Sequence, residues 1–210
     1  MATSIAEKPI VFIDPSRCMG CRSCEVACAI EHSQSRELFR AIKEVPRPIP
    51  RIKVVYIWSV GMPSPLNCRH CEQAPCIDVC PTRALYKDEN GATMLNPLKC
   101  IGCLSCAIAC PFGVPELDLI NKIMVKCDLC PDRRSRGEVP ACVEACPSGA
   151  LRYGTVSEIM KEMKKEFLSK YFETRREAVE TFIYPLPPTR PEMPLHVLTR
   201  KTRSTLWFER

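Results

Sequence analysis

The hydrophobic pattern along this chain predicts short elements at first and one long helix later. Every second position from residue 52 to residue 58 is a large apolar residue: Ile52, Val54, Tyr56 and Trp58. A period of two predicts a strand with one buried face, which would place Trp58 in the core. The stretch before it is broken by prolines, so this strand is expected within an insertion at about residues 33–66.

The pattern changes after residue 154. Thr155 and Glu158 have the spacing of a capping box, and large apolar residues then recur at helical spacing as far as Phe172. We predict an amphipathic helix to about Ile183, packed on the chain's own core or on another subunit. The remaining segment is rich in proline and ends in Leu206-Trp207-Phe208, so an extended tail is expected.

The 16 cysteines change this picture more than any other part of the composition. They fall into four groups of four, with none left over: Cys18, Cys21, Cys24, Cys28; Cys68, Cys71, Cys76, Cys80; Cys100, Cys103, Cys106, Cys110; and Cys127, Cys130, Cys142, Cys146. Groups one and three have the spacing C-x2-C-x2-C-x3-C, and groups two, three and four end in Cys-Pro. Bacterial ferredoxins use this run to hold cubane iron–sulfur clusters, so all sixteen thiols are predicted iron ligands.

Disulfides and structural zinc fit these cysteines less well. Disulfides form in oxidising compartments, and Met1–Val11 has no apolar signal segment or twin arginine, so a cytoplasmic protein is expected. Structural zinc uses two separated C-x2-C pairs, whereas three thiols recur at i, i+3 and i+6 in groups one and three. Because clusters would hold so much of the chain together, we expect no stable fold without iron.

The formal charge of +6 suggests a nucleic-acid-binding protein, but that count treats cysteine as neutral. Sixteen thiolates around four cubane cores of about +2 each add roughly −8, which brings the holoprotein to about −2. No nucleic-acid partner is therefore expected. Residues 152–210 still hold twelve Lys or Arg against eight Asp or Glu, which makes this segment a candidate docking surface. No run of eighteen apolar residues occurs, so no direct membrane insertion is expected.

The cysteine groups alternate between a compact and an expanded form, which indicates an internal repeat. We predict an α+β fold in which residues 1–154 form two bacterial-ferredoxin-like units related by pseudo-twofold symmetry. Residues 155–210 would form a C-terminal amphipathic helix and Pro-rich tail for subunit docking. In two-cluster ferredoxins the fourth cysteine of each run ligates the other cluster. Spacing alone permits two arrangements. Groups one and two could exchange their fourth cysteines, as would groups three and four, or groups two and three could do so, as would groups one and four.

Three runs carry a resemblance to a known family: CRHCEQAPCIDVCPTRAL (68–85), KCIGCLSCAIACPFGV (99–114) and KCDLC…PACVEACPSGAL (126–151). They resemble the four-cluster electron-transfer subunits of molybdenum and tungsten oxidoreductases, such as the small subunits of formate dehydrogenase, dimethyl sulfoxide reductase and polysulfide reductase. The chain is most similar to the ferredoxin-like subunits that accompany CO dehydrogenase and tungsten-dependent aldehyde oxidoreductase. This resemblance covers about residues 8–153.

The resemblance implies that groups two and three build one unit and groups one and four the other. The implied ligand sets are site I, with Cys18, Cys21, Cys24 and Cys146; site II, with Cys28, Cys127, Cys130 and Cys142; site III, with Cys68, Cys71, Cys76 and Cys110; and site IV, with Cys80, Cys100, Cys103 and Cys106. A sister subunit in nitrate reductase has a tryptophan in place of one thiol of its third group and holds a three-iron cluster. Cys103 is present here, so four [4Fe–4S] clusters are expected.

The function implied is electron transfer between a catalytic metalloenzyme subunit and an acceptor. Aldehyde oxidoreductase or CO dehydrogenase is the first expectation for the catalytic partner, with hydrogenase or formate dehydrogenase next. The acceptor would be a flavin- or NAD-binding subunit, a membrane-associated subunit or a carrier. No phosphate loop, G-x-G-x-x-G or nucleophile elbow occurs, so the chain is not expected to be an enzyme by itself. The alternative is a free polyferredoxin shuttle, and self-association through the C-terminal helix is a further hypothesis.

Two polar features near the cysteines are open to interpretation. His70 lies inside Cys-Arg-His-Cys, where it would either be a solvated loop residue or donate a hydrogen bond to sulfur. The segment between Cys130 and Cys142 is basic, and we expect it to be exposed to solvent or to contact an acidic partner.

Overall fold

A computed structural model describes residues 8–181 of the 210, with side chains for residues 8–175. The predicted Pro-rich tail lies outside the described residues. The strands are β1 (Pro9–Ile13), β2 (Lys53–Ile57), β3 (Met62–Leu66), β4 (Leu85–Lys87), β5 (Thr93–Leu95), β6 (Glu116–Asp118), β7 (Ile123–Val125) and β8 (Leu151–Thr155). The helices are α1 (Ser23–Glu31), α2 (Leu38–Ala41), α3 (Pro75–Asp78), α4 (Ser105–Ala109), α5 (Pro131–Ser135), α6 (Ala141–Glu144) and α7 (Val156–Thr181).

The strands pair as antiparallel two-stranded ribbons: β1 with β8, β2 with β3, β4 with β5, and β6 with β7. Helix α1 packs against α6, and α3 packs against α4. The predicted mixture of helices and strands is therefore confirmed. Cysteines make up a large share of the buried residues, because ribbons and helices this short bury few large apolar side chains.

The same local structure occurs ahead of cysteine groups one and three. Asp14 and Asn96 each cap a 3₁₀ turn by accepting a hydrogen bond from the backbone N–H two residues later, at 3.1 and 3.0 Å. Their own backbone N–H groups donate to the carbonyl oxygens of Ala150 and Ala84, both at 2.8 Å. These bonds tie β1 to the segment after group four, and β5 to the segment after group two. The segments that close groups two and four, residues 80–85 and 146–151, share the pattern C-P-[ST]-x-A-L. Each follows a short helix and leads through a turn into a strand: α3 and β4 in one case, α6 and β8 in the other.

The predicted insertion contains the β2–β3 ribbon, and the strand prediction is confirmed while the burial of Trp58 is wrong. Ile52 is 1% exposed at the start of the ribbon, but Trp58 is 87% exposed at its far end. The Trp58 ring stacks edge-on against Tyr56, with centroids 4.7 Å apart. A two-stranded ribbon has no second layer to cover its end, so alternation there does not lead to burial.

Helix α7 begins with the predicted capping box. The backbone N–H of Thr155 donates to Glu158 Oε2 at 2.8 Å, and the backbone N–H of Glu158 donates to Thr155 Oγ1 at 3.3 Å. The chain divides into two compact units, Met1–Lys164 and Lys165–Arg210, and the boundary lies within this helix. In the first unit, Ile159 is buried.

In the second unit, Phe167, Tyr171 and Phe172 are exposed. The Tyr171 ring stacks on that of Phe167, with centroids 6.3 Å apart, and meets that of Phe172 edge-on at 5.8 Å. None of the helices in residues 8–181 is long and apolar enough to cross a membrane.

Candidate iron–sulfur cluster sites

The loops that carry groups one and three turn through left-handed backbone conformations. Gly20 and Gly102, each between the first two cysteines of a group, have φ of +73° and +64°. A Cβ at Gly102 would lie 2.3 Å from the carbonyl oxygen of Lys122, so glycine is required there. Arg22 and Leu104 are also left-handed and begin helices α1 and α4, which carry the third cysteine of each group.

The eight cysteines of groups two and three line two cavities. One cavity is lined by Cys68, Cys71, Cys76 and Cys110. The other is lined by Cys80, Cys100, Cys103 and Cys106. The thiols brought together in these cavities are those implied for sites III and IV.

The cysteines of groups one and four approach one another in the same crossed manner. Burial raises the pKa of Cys24 to about 12, and Cys146 and Cys21 are among the neighbours that raise it further. Burial also raises the pKa of Cys142, and the charges of Cys127, Cys28, Cys130 and Cys24 raise it further. A thiolate in such surroundings is unfavourable unless a cation compensates its charge. Six of the sixteen cysteines are buried, including all four of site II. Four thiols around one space are a donor set that suits a [4Fe–4S] cluster.

Backbone amides donate to one or two sulfur atoms in each of three sites. The N–H of Arg51 donates to Cys28 Sγ at 3.2 Å, and that of His70 donates to Cys68 Sγ at 3.4 Å. In site IV, the N–H groups of Ala84 and Met124 donate to Cys80 and Cys100 at 3.3 and 3.4 Å. Such bonds stabilise negative charge on sulfur and so affect the reduction potential of a bound cluster.

A buried polar network beside site II was missed by sequence reasoning. His32 Nε2 lies 3.1 Å from Asp128 Oδ1, and His32 Nδ1 lies 2.7 Å from the carbonyl oxygen of Cys28. The guanidinium of Arg51 donates to the other oxygen of Asp128. Burial opposes the charge of His32, but its hydrogen bonds to Asp128 and Cys28 raise its pKa to about 9. The available signal was the i, i+4 spacing of Cys28 and His32 on one helix face.

His70 is not a solvated loop residue, so that expectation is wrong. Burial, together with the charges of Lys126 and Lys87, lowers the pKa of His70 to about 3, and the ring is therefore neutral. Its Nδ1 accepts a hydrogen bond from the backbone N–H of Thr93 at 2.9 Å. The proton must then be on Nε2, which is buried and has no partner among the described residues.

The basic segment between Cys130 and Cys142 is largely neutralised within the chain. Arg133 pairs with Glu144 at 2.6 Å and with Glu31 at 3.6 Å, and 14% of its side chain is exposed. Arg134 pairs with Asp88 at 3.1 Å. The expectation of a free basic loop for an acidic partner is therefore wrong for these two arginines, because each already has carboxylate partners.

Comparison with known proteins finds iron–sulfur domains in the segments that carry the cysteines. The chain matches the model of a 4Fe-4S dicluster domain over residues 61–156 and that of a 4Fe-4S binding domain over residues 9–29. It is 35% identical to the thiosulfate reductase electron transfer subunit PhsB of Salmonella typhi over 182 residues, which cover 82% of this chain and 90% of that protein. The chain belongs to this family of iron–sulfur electron-transfer subunits.

Two further relatives of this electron-transfer subunit are similar over most of their length. This chain is 35% identical to a polysulfide reductase subunit of Wolinella succinogenes, over 79% of this chain and 86% of that protein. It is 38% identical to an anaerobic dimethyl sulfoxide reductase subunit of Escherichia coli, over 72% of this chain and 75% of that protein. The cofactors of the subunit are four [4Fe–4S] clusters, as predicted. A still closer likeness to the CO dehydrogenase and aldehyde oxidoreductase subunits stays a prediction.

Proposed function

We propose that the ligand sets of sites I to IV would hold the four clusters, and that the sites lie in that order along one path for electrons. When bound, each cubane takes up and releases one electron with no covalent bond made or broken. The proximity of thiols from successive sites supports this order: Cys24 neighbours Cys142, Cys127 neighbours Cys68, and Cys76 neighbours Cys106. The chain holds each set at a fixed place between its short helices and ribbons.

The ligand sets can be tested through Cys110, which belongs to group three but lines the site III cavity. We expect Cys110→Ser and Cys68→Ser to alter the same electron paramagnetic resonance signal, and Cys100→Ser to alter a different one. If Cys110→Ser and Cys100→Ser altered the same signal, groups two and three would not exchange their fourth cysteines. Iron should amount to about sixteen atoms per wild-type chain.

We also propose that the two halves of residues 1–154 are ferredoxin-like units related by a pseudo-twofold axis. The matching caps at Asp14 and Asn96, and the matching bonds to Ala150 and Ala84, support this relation. An experimental structure with clusters bound would test it directly. Superposing residues 75–110 on the segments 141–155 and 9–28 should overlay the cysteines of sites III and IV on those of sites II and I.

The catalytic partner is proposed to be a reductase of the thiosulfate, polysulfide or dimethyl sulfoxide type. The names of the relatives support this choice over aldehyde oxidoreductase or CO dehydrogenase, which were the expectation from resemblance. Purification of the native complex without oxygen, followed by metal analysis and assays with each oxidised substrate, would distinguish them. Activity with an aldehyde or CO alone would overturn the reductase assignment.

A fixed subunit is favoured over a freely diffusing shuttle, because the relatives are named as components of reductases. We propose that the complex is cytoplasmic and passes electrons to or from a further carrier or a membrane-associated subunit. Size exclusion of native extract tests whether the chain is a fixed subunit, in which case it should elute with a large metalloenzyme. Elution as a free chain of 23.7 kDa would support the shuttle.

Helix α7 and the segment after it are proposed to dock on another subunit. The exposed side chains of Phe167, Tyr171 and Phe172 support this role, since an apolar face in water commonly marks a contact surface. Self-association of the chain through α7 is the narrower hypothesis. The double variant Phe167→Glu/Phe172→Glu should leave the iron content unchanged and reduce the size of the assembly, whereas an unchanged size would exclude this face as the contact.

A further inference from the structure

Lys126 is the only lysine or arginine in residues 8–175 that is buried, with 5% of its surface exposed. Its ammonium donates hydrogen bonds to the carbonyl oxygen of Cys127 at 2.9 Å and to that of Thr93. None of the ion pairs among the described residues includes Lys126. Asp128, two positions along the chain, is bound by His32 and Arg51. A buried charge without a counter-charge is costly, so this ammonium needs an anionic partner.

The side chain of Lys126 lines the site III cavity together with the four cysteines of that site. Four thiolates with a cubane core carry a net charge of about −2, which becomes about −3 after one-electron reduction. The cluster would thus supply the negative charge that the protein around Lys126 lacks.

The neighbouring site IV differs in its charge. The residues that line its cavity include no charged side chain. The residues that line the site III cavity include two cations, the buried Lys126 and the exposed Arg69. Lys87 lies near two residues of this region, because its Nζ donates to Thr93 Oγ1 at 2.9 Å and to the carbonyl oxygen of His70 at 3.1 Å. Two cations therefore line one cavity, and none lines the other.

We propose that Lys126 is the counter-ion of the site III cluster and raises its reduction potential above that of the site IV cluster. This inference rests on the ligand sets proposed above. A nearby positive charge stabilises the reduced form more than the oxidised form, because the reduced form carries one more negative charge. In the exchange between the two sites, site III gains the one electron that site IV loses. Because of Lys126, an electron shared between these two sites would lie on site III, which is the one next to site II.

The test is a redox titration of the full chain with its clusters, followed by electron paramagnetic resonance. Lys126→Met removes the charge and keeps the length of the side chain, and Lys126→Arg keeps the charge. Lys99→Met is the matched control, because Lys99 also precedes the first cysteine of a group but is exposed. Cys110→Ser and Cys103→Ser assign the signals of sites III and IV.

We expect Lys126→Met to lower the reduction equilibrium constant of site III at least tenfold, which is about 59 mV for a one-electron couple. Lys126→Arg should restore most of this change, and Lys99→Met should leave site III unchanged. An unmoved site III potential in a Lys126→Met protein with about sixteen irons would overturn the inference.

If the Lys126→Met protein does not assemble its clusters, the inference is tested on the wild-type protein instead. A reduction potential of site III below that of site IV would then overturn the inference. Fewer than four clusters in the wild-type chain would instead contradict the proposed function.

Discussion

The imidazole Nε2 of His32 lies 3.1 Å from Oδ1 of Asp128, across 96 residues of sequence. This bond joins the end of helix α1 to the loop that carries Cys127 and Cys130. Both side chains are largely buried, with 11% and 15% of their surfaces exposed. The contact therefore fixes two cysteine groups relative to one another before any metal is considered.

Replacing Asp128 by alanine should destabilise the protein strongly, because His32 and Arg51 would lose their buried counter-charge. Breaking a buried pair in this way costs about 3–5 kcal/mol. The measurement is the temperature at which the visible absorbance of the clusters is lost. Asp132→Ala is the control, since its partner Arg36 lies at the surface, and we expect no change. Equal behaviour of the two variants would contradict the structural role of Asp128.

Gly102→Ala should prevent normal assembly of site IV. A left-handed conformation costs a residue with a Cβ about 1–2 kcal/mol, and at Gly102 that Cβ would also overlap the carbonyl of Lys122. Gly113→Ala is the control, because Gly113 has φ of +60° but nothing within 4 Å of the added atom. We expect iron per chain to fall toward about twelve atoms in Gly102→Ala and to stay near sixteen in Gly113→Ala. Full iron in both variants would show that the loop can move.

Arg134 links the Cys127–Cys130 loop to the turn of the β4–β5 ribbon. Its guanidinium donates to Asp88 at 3.1 Å and to the carbonyl oxygen of Leu129 at 2.9 Å, with 10% of the side chain exposed. Arg134→Met leaves Asp88 unpaired, so we expect a loss of about 3 kcal/mol in unfolding free energy. Arg136→Met, in the same segment, removes a surface pair with Glu138 and should have no measurable effect. The two variants are compared by the temperature at which each loses the visible absorbance of its clusters.

Features set by short-range rules could be predicted from the sequence. The capping box at Thr155 depends on residues within a few positions, and the structure has it where expected. The cysteine groups are equally local in spacing. Which groups exchange their fourth cysteines depends on the path of the chain, and spacing left two answers open.

Contacts between distant segments could not be predicted in the same way. Trp58 is exposed because no layer covers the end of its ribbon, and a period of two carries no information about such a layer. The burial of Lys126 depends on Thr93, which is 33 positions away. The partners of Arg133 and Arg134 come from separate elements, so a run of basic residues alone suggests a free surface that the fold does not leave free.

Ile159 provides the last test, which concerns where the cluster-bearing unit ends. The boundary predicted from the sequence is residue 154, but Ile159 is 3% exposed and belongs to the unit that ends at Lys164. Ile159→Ala should therefore lower the unfolding free energy of the cluster-bearing unit by about 2–5 kcal/mol. Met160, the next residue, is 49% exposed, and Met160→Ala should change this unfolding free energy by less than about 0.5 kcal/mol. Denaturation followed by cluster absorbance measures both, and equal midpoints would mean that the first turn of α7 adds nothing to this unit.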